Sequence, residues 1–189
     1  MAHRLFVAID VGGPVMAAVA ASVDRARPLA DEARWADCRV GHLTLAFLGA
    51  VPADEVAAVA RAVADVAARH RPFTLALEGS GTFGGSRRPR VVWAGVGGDL
   101  PALRAAHADL MTALGAAGVA LETRPFHPHL TLARARSPRG APGLAAAADA
   151  LGGERYGDWD VADLVLYESH LGTRGARHEV RVRQPLRGR

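Results

Sequence analysis

The sequence predicts an α+β fold of two pseudo-symmetric lobes with a shared cleft between them. Three observations carry that reading. The pentapeptide His-Leu-Thr-Leu-Ala occurs at 42–46 and again at 129–133, an offset of 87 in a chain of 189 residues. Two prolines placed to open helices, Pro14 and Pro101, share the same offset. Each half also reads in the same order: strand, helix, motif strand, helix, strand. A period of this size is too long for a solenoid repeat. The expected organisation is therefore one two-lobed domain over 1–189, with sequence halves of approximately 1–86 and 87–189.

Taken in order, residues 4–10 form a short apolar run of strand formers. Pro14 sits in a first helical turn, and an Ala/Val/Met segment follows to about residue 32. The first motif strand is bounded by Gly41 and Gly49. Pro52, Asp54 and Glu55 open a second helix, with acids where the helix macrodipole favours them. Its valines at 56, 59, 63 and 66 recur at spacings of three and four. Residues 73–77 alternate as a strand. Residues 79–86, rich in glycine, read as a connector or hairpin, because they lack the Lys-Ser/Thr ending of a phosphate loop. The second half begins with an apolar strand at 90–96 and a helix whose Leu103, Leu110, Met111 and Leu114 share a face. The second motif strand, an Ala-rich helix over about 142–151, and a strand at 161–168 follow. The C-terminal segment from Trp159 to Leu186 reads as a hairpin turning at 172–175.

Composition limits the function classes. Half of the residues are apolar, which excludes a disordered chain. Net charge is +4 with a pI near 10.4, and all 23 basic residues are arginine. An arginine-only, alanine-rich chain first of all reflects a GC-rich genome. The excess positive charge still favours a polyanionic partner. The single cysteine, Cys38, rules out an intrachain disulfide. The N-terminus reads as a strand and not as a signal peptide, and no apolar run approaches a membrane span. A cytoplasmic protein without membrane attachment is expected.

The chemistry follows from strand parity. His42 and Thr44 share one face of a strand, and Leu43 and Leu45 take the other. His129 and Thr131 likewise share a face opposite Leu130 and Leu132. One such His-Leu-Thr unit would ordinarily be a partly buried structural histidine. Two related copies reverse that reading, since a core has no reason to retain His and Thr at both positions. Two imidazoles and two hydroxyls suit phosphoryl transfer, with one neutral imidazole as base and one imidazolium as acid. The hydroxyls would hold non-bridging phosphate oxygens. The near-identity of the motifs does not tell acid from base. His127 and His129 have a spacing that metal ligands use, but neither motif carries an acidic or Cys cluster, so no metal or other cofactor is expected. His127 is expected to line the cleft or bond a neighbour, and His170 is a further candidate for it. His3, His70, His107 and His178 are read as solvated. Trp35, Trp93 and Phe126 have the chemistry to stack a base, though core packing is the commoner fate. The arginines at 87, 88, 90, 134, 136 and 139 have the charge to steer RNA.

Several segments together resemble a known family: Arg34-Trp35, the first motif through Gly49, residues 90–95 (Arg-Val-Val-Trp-Ala-Gly), residues 126–134 (Phe-His-Pro-His-Leu-Thr-Leu-Ala-Arg) and residues 168–172 (Glu-Ser-His-Leu-Gly). In order and over nearly the whole chain, they are similar to the bacterial and archaeal RNA 2′,3′-cyclic phosphodiesterases. These are also called the 2′–5′ RNA ligase family, within the two-histidine phosphoesterases. Residues 36–41 depart from the family's Pro-containing approach to the first His and read as loop variation. The resemblance implies two lobes, each an antiparallel sheet with helices packed outside, and an active-site cleft between them. It implies hydrolysis of a terminal 2′,3′-cyclic phosphate to a 2′-phosphate, with His42 as proton donor to the departing 3′ oxygen and His129 as base. Thr44 and Thr131 would bind the phosphate. Arg134 would add a contact only if the strand twists or ends there, because strict alternation puts it opposite His129.

The expected partner is RNA bearing a terminal cyclic phosphate, or a small oligonucleotide. The expected state is a monomer, since the histidine pair is complete within one chain. The alternatives are 2′–5′ ligation by the same groups and an RNA-end-binding module without catalysis. A metal-dependent hydrolase ranks behind both.

Overall fold

The computed structural model describes residues 1–122, 124–172 and 175–188. Its elements are β1 (Ala2–Asp10), α1 (Gly13–Ala26), a 3-10 turn (Arg27–Leu29), β2 (Ala33–Trp35), β3 (His42–Pro52), α2 (Val56–Arg69) and β4 (Phe73–Gly85). Then come β5 (Arg88–Gly98), α3 (Leu100–Ala116), β6 (His129–Ala135), α4 (Gly143–Leu151), β7 (Arg155–Val161), β8 (Asp163–Gly172) and β9 (Gly175–Pro185). The fold is α+β, with two antiparallel sheets ordered β3-β1-β8-β9 and β2-β6-β5-β4-β7.

The offset of 87 relates more than the motifs. It carries β1 onto β5, α1 onto α3, β3 onto β6, α2 onto α4 and β4 onto β8. The sheets nevertheless do not follow the sequence halves. β8, from the second half, lies beside β1, and β4, from the first half, lies beside β5. The first half gives β2 and β4 to the sheet of β5 and β6, and the second half gives β8 and β9 to the sheet of β1 and β3. A constant offset in sequence thus coexists with interlocked lobes.

The helices form where the sequence places them, with sharper ends. Pro14 occupies the first turn of α1, and Pro28 falls within the 3-10 turn that follows its end at Ala26. Asp99 caps α3, its carboxylate accepting the Ala102 amide at 3.0 Å. In α2, Val59, Val63 and Val66 are fully buried, as their spacing predicts. The glycine-rich stretch continues β4 to Gly85 and pairs with β5 as a long hairpin. β2 and β7 are strands that periodicity does not reveal, the first because it has three residues. The C-terminal hairpin is β8 with β9. Its expected turn falls mainly on residues 173 and 174, which lie outside the described residues.

The core takes Leu5, Val7 and Ile9 from β1 and Leu43 and Leu45 from β3. From β6 it takes Leu130 and Leu132. All are at most 7% exposed, each such side chain contributing about 1.5–3 kcal/mol by burial. Phe6 and Ala8 are equally buried but stand outside this cluster, on the opposite face of β1. Among the described residues no helix is long and apolar enough to cross a membrane.

Candidate active site

The leucines of both motifs point into the core, so His42, Thr44, His129 and Thr131 are left half-buried on the other faces of β3 and β6. These two strands belong to different sheets, yet their Cα atoms come within 8 Å. Parity then breaks at the same place in both copies. Opposite β1, Thr44 and Ala46 pair with adjacent residues and Leu45 is passed over. Opposite β5, Thr131 and Ala133 pair with adjacent residues and Leu132 is passed over. Such a bulge re-aims every side chain beyond it. Ala46 and Ala133 are therefore buried, while Phe47 and Arg134 return to the histidine faces. Arg134 Nη2 reaches Thr131 Oγ1 at 3.4 Å. The bulge meets the condition that strict alternation set for Arg134.

His42 lies in an aromatic nest. The ring of Phe6 is 5.0 Å away and that of Tyr167 5.8 Å. His178 stands edge-on at 5.2 Å. Asp10 pairs directly across from His42 on β1. Its carboxylate accepts the Tyr167 hydroxyl at 2.5 Å and the Arg183 guanidinium at 2.6 Å. Burial pushes the His42 imidazolium down to about 4, the neighbouring His178 adds to that, and Asp10 opposes it. His42 is thus neutral near pH 7.

His129 is held differently. Its Nδ1 lies 2.7 Å from the backbone carbonyl of His127. A carbonyl only accepts, so Nδ1 carries the proton and the neutral ring presents a free lone pair at Nε2. Phe83 packs edge-on against the ring at 4.9 Å, and Trp93 is 6.3 Å away. Burial lowers the pKa of His129, the carbonyl bond resists, and His127 and Arg134 add to the lowering. The His127 side chain lines this face, 4.9 Å from Trp93.

Other candidates go elsewhere. His170 falls on the face of β8 opposite Tyr167, where it lies 3.3 Å from Glu179. Trp35 donates to the Ala30 carbonyl at 3.1 Å and packs on the core, and Phe126 stacks on His107 at 3.9 Å. Trp93 is the one of the three aromatics that reaches a motif histidine. His3 pairs with Glu168 and His70 with Asp109, at 2.9 and 3.0 Å. His178 is exposed, as expected of a solvated residue, but it stands against His42. Sequence reasoning missed Phe6, Asp10, Tyr167 and Phe83, whose cross-strand pairing is not encoded locally. Among the described residues no group of three or more His, Cys, Asp or Glu is arranged to hold a metal ion.

Comparison with known proteins identifies relatives of the chain. Residues 15–173 match the model of the 2′-5′ RNA ligase superfamily. An RNA 2′,3′-cyclic phosphodiesterase of Thermus thermophilus is 30% identical over 189 residues, covering 98% of this chain and 91% of that protein. One of Geobacillus stearothermophilus is 47% identical over 93 residues, which is 49% of this chain and only 29% of that relative. Among solved structures, a Thermus thermophilus protein superposes with a TM-score of 0.81 at 29% identity, over 98% of both chains. Escherichia coli LigT complexed with 3′-AMP gives 0.76 at 27% identity, over 98% of this chain and 99% of that one.

Proposed function

The chain belongs to the 2′-5′ RNA ligase superfamily, and we propose that it hydrolyses a terminal RNA 2′,3′-cyclic phosphate to a 2′-phosphomonoester without a metal ion. The observation that carries this reading is the hydrogen bond from His129 Nδ1 to the His127 carbonyl, which leaves Nε2 as a base beside Thr131 and Arg134. The curated relatives named RNA 2′,3′-cyclic phosphodiesterase support the substrate class.

In this reading His129 Nε2 takes a proton from water as its oxygen attacks phosphorus. The bond from phosphorus to the 3′ oxygen breaks, and His42 gives that oxygen a proton. The 2′ ester bond stays. Thr44, Thr131 and Arg134 donate to the non-bridging oxygens as negative charge builds on them. His42 begins neutral, so substrate binding must bring a proton with it. The phosphate monoanion and the nearby Asp10 carboxylate both favour that uptake. Ligation would follow the same steps with a 5′-hydroxyl of a second RNA in place of water, giving a 2′–5′ diester with the same groups as base and acid.

The test is turnover of an RNA ending in a 2′,3′-cyclic phosphate, in excess EDTA, by the wild type, His42→Ala and His129→Ala. Turnover by the wild type alone is expected. Loss of activity in EDTA would sink the metal-free mechanism, and full activity in either variant would sink the histidine pair. Tight RNA-end binding without turnover would make the protein a binding module.

A further inference from the structure

The two ends of the site carry different charge, and the difference runs along a sheet. The segments 79–98 and 123–148 contain no Asp or Glu. They include Arg87, Arg88, Arg90, Arg134, Arg136 and Arg139, all exposed. Among the described residues none of these six has a carboxylate within ion-pair distance, 4.0 Å. The fold gathers them at one rim of the second sheet. Arg134 pairs across from Val91, and the loop after β6 packs on β5, with the Ala141 amide donating to the Pro89 carbonyl at 2.9 Å.

Arg134 also pairs across from edge strand β2, at Arg34. On β9 of the first sheet the arginines are paired instead. There Arg183 is neutralised by Asp10 and Asp163, Arg181 by Glu168, and Arg177 lies 3.8 Å from Glu179. Where the second motif has Arg134, the first has Phe47, which is 51% exposed.

We propose that this arginine rim is the track for the RNA strand 5′ of the reactive nucleotide, so that the preferred substrate is a strand and not a mononucleotide. The proposal deepens the cyclic-phosphodiesterase reading and rests on it. His129, Thr131 and Arg134 follow one another along one face of β6, and Arg136 comes just beyond its end. At about 3.3 Å per residue the path from His129 to Arg136 is roughly 23 Å. A stacked strand at about 3.4 Å per nucleotide covers that distance in roughly six to seven nucleotides. Arginine rather than a general positive potential fits the task, since its planar fork grips phosphate oxygens in pairs.

The experiment compares a nucleoside 2′,3′-cyclic monophosphate with a single-stranded hexaribonucleotide ending in the same group. The proteins are the wild type and the triple variant Arg88→Gln, Arg136→Gln, Arg139→Gln. Binding of the hexamer carrying the product 2′-phosphate is measured in parallel over a range of salt. The wild type should prefer the hexamer through a lower KM. The triple variant should keep its kcat/KM on the mononucleotide within about twofold and raise its KM for the hexamer by about tenfold. The slope of log Kd against log salt should become shallower by about 2, at about 0.7 per lost phosphate contact. Equal effects on both substrates, or no effect on the hexamer, would overturn the track. If the wild type turns over neither substrate, the hydrolase reading fails. The binding series then decides the track alone: an unchanged slope overturns it, and a shallower one sustains it.

Discussion

The two His-x-Thr copies have the same sequence, the same strand and the same bulge, yet their histidines are in different chemical situations. His129 has its Nδ1 proton tied to a backbone carbonyl, so its free nitrogen is an acceptor by construction. Among the described residues His42 has no such bond. It is half-buried among Phe6, Tyr167 and His178, with the Asp10 carboxylate across the strand pair. In the proposed reaction the motif supplies the functional groups, and the environment assigns acid and base. A neutral imidazole with a locked tautomer suits the proposed base. A half-buried imidazole near a carboxylate suits the proposed acid once an anion joins it.

The largest effects should come from the histidines. His42→Ala and His129→Ala should each lower kcat by about 10³-fold, within the usual range for general acid–base catalysis. The double variant should be little worse than either single one, because groups acting in one transition state are not additive. A double variant with multiplied losses, measured by single-turnover kinetics, would break the pairing.

Next comes Arg134, which the second copy alone possesses. Arg134→Gln should cost about 10²-fold in kcat/KM, as expected for one donor to a developing oxyanion. Phe47→Ala at the related position of the first copy should cost far less. Comparable losses would remove the asymmetry of the phosphate site.

His127 separates backbone from side chain. His127→Ala leaves its carbonyl in place, so the tautomer of His129 survives and kcat should fall less than about fivefold. A nitrogen chemical-shift measurement should still find Nδ1 of His129 protonated. Loss of that signature in His127→Ala would mean that the ring, and not the backbone, sets the tautomer.

A smaller effect concerns His178, whose presence and bulk disfavour the His42 imidazolium. His178→Gln should move the alkaline limb of the kcat/KM profile upward by up to about one unit, since His42 then keeps its proton to higher pH. Asp10→Asn should move the same limb downward. Shifts of the opposite sign, or none, would show that His42 is not the group titrating there.

Least visible is the effect on folding. His42 binds its proton near pH 6.5 when unfolded and at about 4 when folded. The unfolded state therefore holds more protons between those values, and stability declines as pH falls through that window, by at most about 3 kcal/mol from this group. Urea titrations at pH 7 and pH 4 should find a smaller difference for His42→Gln than for the wild type.

The placement of the motif side chains was largely legible in the sequence, and their surroundings were not. Alternation along five residues is local, so the faces of His42, Thr44, His129 and Thr131 followed from reading the strand. The common offset of Pro14 and Pro101 made the duplication visible before any packing was known. The exchange of β4 and β8 between sheets depends on non-local pairing, which leaves no mark on periodicity. The same limit hid Asp10 and Tyr167, which meet His42 only through β1 and β8. The bulge that returns Arg134 to the site comes from the register with β5. The carbonyl that fixes His129 belongs to the backbone, and no side chain advertises it.

The assignment of roles is tested most directly by the pH dependence of kcat/KM in the two single histidine variants, followed on their residual activity. The wild type should give a bell that peaks below pH 6.5, because burial lowers both imidazoles. His42→Ala should lose the alkaline limb, where the acid deprotonates, and His129→Ala should lose the acidic limb, where the base becomes protonated. Loss of the opposite limb in each variant, or retention of both limbs in either, would contradict the assignment.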